Sequence, residues 1–269
     1  MSVIEFKKHL TVSEPHKALT GGFNRAVGRN SFGRLTTRHK GGGHKRLYRD
    51  IDFSYNKKDV PATLATIEYD PNRTGFIGLA NYADGEKRYV LVPKSMKVGD
   101  KFIVSAKAPV TPGNRLQVKN ITVGTFVYNI EVKPLGGSVI ARSAGNYAEV
   151  IGHDGDYSQI KLPSSEVRRV LGTVWASVGE VSNDENRLVN IGKAGRSRWM
   201  GIRPTVRGTA QNAVDHPYGG GEGRQGRGTK RAKTRWGKPV GKGQKSRRAK
   251  KYSNKFIVSR RKVGKKSKE

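Results

Sequence analysis

Asp215 and His216 come closest to acid–base chemistry in this chain of 269 residues. A carboxylate beside an imidazole can orient and charge it, which would make a general base near neutral pH. Adjacent residues rarely turn their side chains towards each other, and no nucleophile is evident near this pair. We therefore predict no catalytic residue, and an enzyme that used His216 would need a formed pocket around it.

The other sequence patterns that could indicate a cofactor or metal site are incomplete. Gly221-Glu222-Gly223-Arg224-Gln225-Gly226 matches the dinucleotide fingerprint, but no strand precedes it and no acid follows about twenty residues on. His39 and His44 stand five residues apart among cations, which disfavours metal capture. The chain has no cysteine, so it has neither disulfides nor thiolate zinc sites. We predict no metal site and no cofactor.

The distribution of charge is the strongest signal in the sequence. Lys and Arg number 53 against 21 acids, which gives a net charge of +32. Residues 1–59 carry +8, residues 60–195 carry +3, and residues 196–269 carry +21. A nearly neutral middle therefore lies between two basic arms.

Such charge repels itself unless a polyanion neutralises it, and nucleic acid is the first candidate. An anionic membrane is the second, because basic segments also bind lipid headgroups. No long apolar run, amphipathic basic helix or secretory signal is visible, so we predict no membrane partner. The absence of cysteine fits a reducing compartment.

The arms combine cations, glycines and aromatic rings in a way that suits RNA. Glycine lets the backbone approach phosphates closely, arginine binds phosphate bidentately, and aromatic rings stack on unpaired bases. In that setting His216 should hydrogen-bond RNA or backbone while Asp215 caps a turn. The predicted RNA-binding residues are Arg38, His39, Lys40, Gly41, Gly42, Gly43, His44, Lys45, Arg46, Arg49, Arg73, Lys193, Arg196, Arg198, Trp199, Arg203, Arg207, His216, Tyr218, Gly219, Gly220, Gly221, Arg224, Trp236, Arg247 and Arg248.

The middle of the chain must position these arms, and its pattern is that of short β-strands. Alternating apolar runs are separated by turn signals such as Asp84-Gly85 and Asp154-Gly155. The runs cover residues 63–69, 76–82, 88–92, 101–107, 115–121, 126–132, 147–151, 157–162, 167–171 and 173–178. About ten strands of this kind indicate one or two small β-barrels.

We predict four regions along the chain. They are a basic N-terminal extension (1–59), a first barrel (60–124), a second barrel (125–195) and a Gly/Arg/Lys-rich C-terminal extension (196–269). The extensions have too little apolar surface to fold alone and should order only against a partner. The stretch 242–268 is a basic tail of the type that lies on phosphates.

Blocks of residues resemble the bacterial-type family of large-subunit ribosomal protein two. They begin with Arg38-His39-Lys40-Gly41-Gly42-Gly43-His44-Lys45-Arg46 and are strongest at Arg203-Pro204-Thr205-Val206-Arg207-Gly208 and Val214-Asp215-His216-Pro217. Further blocks are residues 48–53, 67–74, 84–89, 129–131, 142–145 and 192–196. The blocks run in order from about residue 30 to the C-terminus.

This resemblance implies an OB-like barrel, then an SH3-like barrel, with both arms threaded into large-subunit ribosomal RNA. It implies neighbouring ribosomal proteins, a small subunit across an intersubunit bridge, and roles in subunit association and tRNA binding. The segment around His216 would support the peptidyl-transferase region rather than supply a catalyst. Mg²⁺ would belong to the surrounding RNA, and the location would be a cytoplasmic or organellar ribosome.

Three positions depart from the family pattern. Tyr218 stands where the family commonly has a second His, which puts any role needing two imidazoles in doubt. Ser165 and Ala213 replace a usual Gly and Pro. Two other interpretations remain open: a non-ribosomal architectural nucleic-acid-binding protein, and an enzyme that uses His216.

Overall fold

The chain divides into two compact units. Unit 1 comprises Met1–Asn24, Lys45–Gly192 and Lys255–Glu269, and unit 2 comprises Arg25–His44 and Lys193–Asn254. The computed structural model describes residues 6–22, 24–221, 223, 228–241 and 247–261.

Short strands make up most of the regular structure in the described residues. In chain order they are β1 (Thr20–Gly22), β2 (Leu47–Arg49), β3 (Ala62–Glu68), β4 (Ile77–Tyr82), β5 (Lys87–Leu91), β6 (Lys101–Phe102), β7 (Arg115–Gln117), β8 (Phe126–Tyr128), β9 (Ile130–Glu131), β10 (Ser138–Ile140), β11 (Ala148–Asp154), β12 (Tyr157–Lys161), β13 (Val167–Leu171), β14 (Trp175–Val178) and β15 (Ile257–Ser259). One α-helix, α1 (Ala194–Trp199), is described. The 3₁₀ turns are Phe6–His9, Lys17–Leu19, Val118–Asn120, Asp184–Leu188, Gly208–Ala210 and Tyr252–Phe256.

The first core of unit 1 lies against a four-stranded antiparallel sheet in the order β5-β4-β3-β6. Alternation along β3 turns Ala62 and Leu64 into this core, which also holds Val90 and Phe102. The predicted Asp84-Gly85 hairpin is confirmed between β4 and β5, where Gly85 has a φ of +85°. An L side chain rarely adopts that conformation, so the turn favours glycine.

The second core lies against a seven-stranded sheet in the order β15-β13-β12-β11-β8-β14-β7. All the pairings in this sheet are antiparallel, and its β11–β12 hairpin turns at the predicted Asp154-Gly155. The core residues are apolar and almost fully buried, and they include Val127, Val150 and Ile160. The sequence analysis did not predict β15, which adds the edge strand next to β13.

Strand β14 serves both cores of unit 1. Its alternating side chains place Trp175 in the first core, while Ala176 and Val178 lie in the second. Beside it, the buried Arg115 of β7 forms an ion pair with the buried Glu131 of β9. The two cores are therefore linked through packed and hydrogen-bonded side chains rather than through a flexible linker.

Unit 2 has little regular structure. Besides the six-residue α1 it contains isolated β-bridges, including Lys40 with Ile202 and Lys233 with Pro239. Backbone turns make up most of the remainder, which fits the glycine-rich composition of the two arms. The described residues contain no helix with the length and apolar character that a membrane span requires.

The predicted fold class is confirmed: the described chain is mostly β, with OB-like and SH3-like barrel cores and irregular basic segments. Nine of the ten predicted apolar runs contain one strand, and the run 126–132 contains both β8 and β9. The boundary between barrels near Val123-Gly124 stays a prediction. However, β7 precedes that boundary and pairs with β14 in the seven-stranded sheet.

Candidate nucleic-acid interface

Two segments that lie about 150 residues apart in the sequence meet in unit 2. Gly41 N donates to Gly201 O at 2.9 Å, and His44 N donates to Trp199 O at 3.0 Å. Arg203 N donates to His39 O at 3.1 Å. The two predicted RNA-binding arms thus form one basic surface, in which the arms hydrogen-bond to each other through backbone groups.

Glycine allows this approach of the two arms. A Cβ placed on Gly43 would lie 2.8 Å from the Cα of Gly201, closer than real Cβ atoms come to other atoms. Gly201 itself has a φ of +85°, in the region that favours glycine. The Arg25 guanidinium covers the contact and donates to His44 O at 3.1 Å. The Gly41-Gly42-Gly43 run therefore serves the fold of unit 2 as well as any phosphate contact.

Trp199 ends α1 and is 48% exposed. The Lys193 ammonium lies 5.0 Å from the centre of its ring, and the His44 ring lies 5.7 Å away. A cation near the face of an indole is held by the ring quadrupole. The arrangement leaves part of the indole accessible for stacking on a base, with a cation beside it for the adjacent phosphate.

A cleft of about 360 Å³ opens in the same unit. Arg25 and Lys40 bring cationic groups to its wall, and Val27 and Met200 supply apolar surface. Gly28, Thr37, Gly41 and Gly201 complete the lining. Cations, glycines and apolar area together suit a nucleotide, which carries a phosphate and a flat base.

His216 lies in a backbone turn and is half-buried. Its Nδ1 accepts a hydrogen bond from Tyr218 N at 3.1 Å, which places the proton of the neutral ring on Nε2. The ring lies against Gly208, where an added Cβ would come within 2.6 Å of it. Among the described residues, no hydrogen bond or ion pair joins the Asp215 carboxylate to the imidazole.

The prediction that His216 would hydrogen-bond backbone is confirmed, whereas no cap from the Asp215 side chain is present among the described hydrogen bonds. A general base oriented by this carboxylate is not formed. The turn instead points one ring nitrogen inward and leaves Nε2 as a donor. The described residues contain no group of three or more His, Cys, Asp or Glu side chains placed to hold a metal ion.

Tyr218 and Trp236 add aromatic surface to unit 2. The Tyr218 ring lies 4.7 Å from the His216 ring, and its hydroxyl accepts a hydrogen bond from Lys233 N. The Tyr218 hydroxyl therefore links the His216 turn to the 233–239 segment. Trp236 is exposed, with the Arg38 guanidinium 5.6 Å from its ring centre.

Most of the predicted RNA-binding residues fall in unit 2. Arg196, Arg198 and Arg247 are half-buried there, and Arg247 donates to Asn254 and Ser253. The exposed cations predicted there are Arg38, Lys40, Lys193, Arg203, Arg207 and Arg248. Gly219, Gly220 and Gly221 follow the His216 turn, and Gly219 N donates to His216 O at 2.8 Å. Arg224, residues 222 and 224–226 of the fingerprint match, and residues 242–246 and 262–268 of the basic tail lie outside the described residues.

Four predicted residues lie in unit 1, and three of them have internal partners. Arg49 is only 8% exposed and donates to Leu47 O. Arg73 forms an ion pair with the buried Asp70, and Arg46 donates to Pro71 O. Lys45 is exposed. Their contact with RNA stays a prediction, although the guanidinium groups of Arg46, Arg49 and Arg73 already bind acceptors within the protein.

Arg25 and the loop around Phe32 were not predicted from the sequence. Arg25 joins the two arms, and Arg29, Phe32 and Arg34 form an ordered turn on the exposed side of unit 2. A signal was present in the sequence, because Asn followed by Ser and Gly is typical of a tight turn. An aromatic residue within such a turn between two arginines is available to a nucleic acid.

Comparison with protein-family models identifies the class of protein that this fold and surface define. Residues 16–105 match the model "Ribosomal Proteins L2, RNA binding N-terminal domain", and residues 111–237 match "Ribosomal Proteins L2, C-terminal domain". These matches define a structural RNA-binding protein of the ribosome. The chain belongs to the ribosomal protein L2 family.

The family predicted from the sequence blocks is confirmed by both matches. The chain therefore has a structural, RNA-binding role in the large ribosomal subunit. Its partner is ribosomal RNA and its location is the ribosome. The family is one of structural RNA-binding proteins, not of enzymes.

Proposed function

We propose that unit 2 enters large-subunit ribosomal RNA and that the chain is a primary binder of this RNA. Unit 2 carries 23 Lys and Arg residues against two acids, a net charge of +21. This one unit therefore holds about two thirds of the net charge of the chain. The release of counterions from phosphates would supply much of its affinity.

In unit 2 the exposed cations would bind phosphates and the aromatic rings would bind bases. Arg203, Arg207 and Arg248 are exposed and would meet phosphates bidentately. Trp199 and Trp236 present ring faces that would stack on unpaired bases. Phosphate contacts position the chain on the RNA, while stacking selects places where bases are already unpaired.

The His216 turn would support subunit association, tRNA binding and the RNA architecture near the peptidyl-transferase centre. Gly208 and the Tyr218 N–H orient the ring so that Nε2–H can donate to an RNA acceptor. The turn would contribute shape and one hydrogen bond to an RNA active site. It would supply no general base, because the Asp215 carboxylate makes no described bond to the ring.

The remaining partners follow from a position within the large subunit. We expect neighbouring ribosomal proteins and a small subunit across an intersubunit bridge. No cofactor is required, and Mg²⁺ would be held by the surrounding RNA. A cytoplasmic ribosome is the expected location, and an organellar matrix also fits.

The test replaces His216 with Ala in ribosomes and measures subunit joining and tRNA binding. Gly208→Ala is the companion variant, because the added Cβ would displace the ring without removing it. Val139→Ala, at an exposed position of β10 in unit 1, is the control. We expect both unit 2 variants to impair at least one assay and the control to impair neither. Normal behaviour of His216→Ala in both assays would contradict the proposed role.

A further inference from the structure

Phe32 is the most exposed aromatic side chain among the described residues, at 86%. It lies in a loop of unit 2 that is closed by a β-bridge between Arg29 and Leu35. A phenyl ring left in water without partners loses the stabilisation that burial would give. The ring therefore adds nothing evident to the fold, and an external partner would explain its position.

Hydrogen bonds between residues close in the sequence hold the loop that carries Phe32. Asn30 Oδ1 accepts from Phe32 N at 3.1 Å and from Arg34 N at 2.9 Å. Asn30 N donates to Arg34 O at 2.9 Å, and Gly33 N donates to Asn30 O at 3.0 Å. Gly33 has a φ of +74°, which permits the tight turn.

A side chain on an ordered loop loses little conformational freedom when it binds. The Arg29 guanidinium reinforces the loop by donating to Gly33 O at 3.2 Å. The backbone N–H groups of Thr36 and Thr37 both donate to Gly28 O, which closes the base of the loop. The ring of Phe32 is thus presented on a supported turn rather than on a free chain.

The charge around the ring identifies the chemistry of its partner. Arg25–His44 holds five Lys and Arg residues and no acid. Arg29 and Arg34 flank Phe32, and both are exposed. An exposed phenyl ring with an exposed arginine on either side of it in the sequence matches an unpaired nucleobase and its adjoining phosphates. An acid-rich protein surface would satisfy the cations but would have no need of a flat ring.

We propose that Phe32 stacks on an unpaired base of the ribosomal RNA, with Arg29 and Arg34 at the adjoining phosphates. This inference rests on the proposed function, and it adds a base contact that the sequence analysis did not predict. Stacking tolerates any base, because every base has a π-face. The base would be selected by being unpaired rather than by its identity.

The test measures the affinity of the full chain for a transcript of the large-subunit ribosomal RNA, over a series of salt concentrations. The variants are Phe32→Ala, Phe32→Leu, Phe32→Trp and Arg34→Gln. Phe32→Leu is the matched control, because it keeps apolar volume but removes the aromatic face. Thermal unfolding should be the same for all the Phe32 variants, since the exposed ring supports no core.

We expect Phe32→Ala and Phe32→Leu to weaken binding about 5- to 150-fold, the effect of one lost base stack. Their slope of log affinity against log salt should stay unchanged, and Phe32→Trp should bind at least as tightly as the original chain. Arg34→Gln should reduce the magnitude of the salt slope by about 0.7, as for one lost phosphate contact on a single strand.

Other outcomes overturn the inference in distinguishable ways. Phe32→Leu binding like the original chain while Phe32→Ala binds weakly would indicate an apolar contact rather than a stack. If all the Phe32 variants keep the original affinity while Arg34→Gln binds RNA more weakly, the loop contacts RNA but the Phe32 ring does not stack on a base. If the Phe32 and Arg34 variants all bind normally, the loop lies away from RNA, and the rest of unit 2 must then carry the proposed function.

Discussion

The guanidinium of Arg115 and the carboxylate of Glu131 form an ion pair of 3.1 Å in which both side chains are 1% exposed. Arg115 also donates to Asn129 O at 2.7 Å, and Glu131 accepts from Trp175 N at 3.3 Å. The Tyr55 ring lies 4.5 Å from the guanidinium carbon. Burial lowers the pKa of Arg115, although the neighbouring Tyr55 and Glu131 oppose that shift. The pair joins β7 of the seven-stranded sheet to β9, with Tyr55 of the first core packed against the guanidinium.

Removal of one partner from this pair should be strongly destabilising. Arg115→Met leaves the Glu131 carboxylate buried without its cation, which should cost about 3–5 kcal/mol of unfolding free energy. The double variant Arg115→Met with Glu131→Leu should recover a large part of the loss, because no buried charge then remains unpaired. Urea unfolding followed by tryptophan fluorescence measures the original chain, the single variant and the double variant.

An exposed ion pair provides the matched control. Lys94 and Asp184 lie 2.7 Å apart, and both side chains are well exposed. Lys94→Met should change the unfolding free energy by less than about 1 kcal/mol, since solvent screens such pairs. If Arg115→Met costs no more than Lys94→Met, the buried pair does not stabilise the joint between the barrels.

The same network predicts a loss of stability at alkaline pH. Burial raises the pKa of Tyr55 to about 12, while the Arg115 charge and the Asn129 amide partly oppose the shift. A raised folded-state pKa gives stability that is complete below the unfolded pKa of about 10 and is lost as pH rises towards 12. Unfolding free energy should therefore fall across this window.

Tyr55→Phe should make that alkaline decline shallower, because the phenyl ring has no proton to lose. Below about pH 10 it should also lower stability by a constant amount, since Asn129 Nδ2 loses its hydrogen-bond acceptor. Tyr69→Phe, at an exposed tyrosine, is the control and should leave the profile unchanged. An equally steep decline in Tyr55→Phe would show that ionisation of this tyrosine is not coupled to folding.

The strands of unit 1 were predictable because their information is local. Burial alternates along β3, and glycine marks the hairpins after Asp84 and Asp154. Each of these signals lies within a few residues of the element that it specifies. The family was predictable for a related reason, since its blocks are continuous stretches of sequence.

The contacts that complete the fold were not predictable in this way. Arg115 and Glu131 have charged side chains, so the sequence alone predicts that both lie at the surface. Their burial is tolerated because each charge is paired with the other. The meeting of Gly43 with Gly201 joins two arms that the linear sequence places at opposite ends of the chain. Local sequence patterns do not predict contacts between residues that are so far apart in the chain.

The Gly43–Gly201 contact supplies a prediction for unit 2. Gly43→Ala would put a methyl group about 2.8 Å from Gly201, so the two arms must separate. Protection of the Gly41 and His44 amides from hydrogen exchange should fall, and the affinity for ribosomal RNA should decrease. Both amides donate across the contact to carbonyls of the other arm.

Gly195→Ala is the control for this variant, because its added Cβ would meet no other atom within 4 Å. Alanine also has a higher helix propensity than glycine, so α1 should be at least as stable. Unchanged protection of the Gly41 amide in Gly43→Ala would mean that the two arms do not need their close backbone approach.

The central claim is that unit 2 carries the contact with large-subunit ribosomal RNA. The most direct measurement is crosslinking of RNA to this protein in cell extract, with sequencing of the RNA and identification of the attached peptides. We expect large-subunit ribosomal RNA at a few fixed positions, attached through peptides of Arg25–His44 and Lys193–Asn254. A broad scatter of RNA or DNA, or attachment through the barrel strands alone, would contradict it.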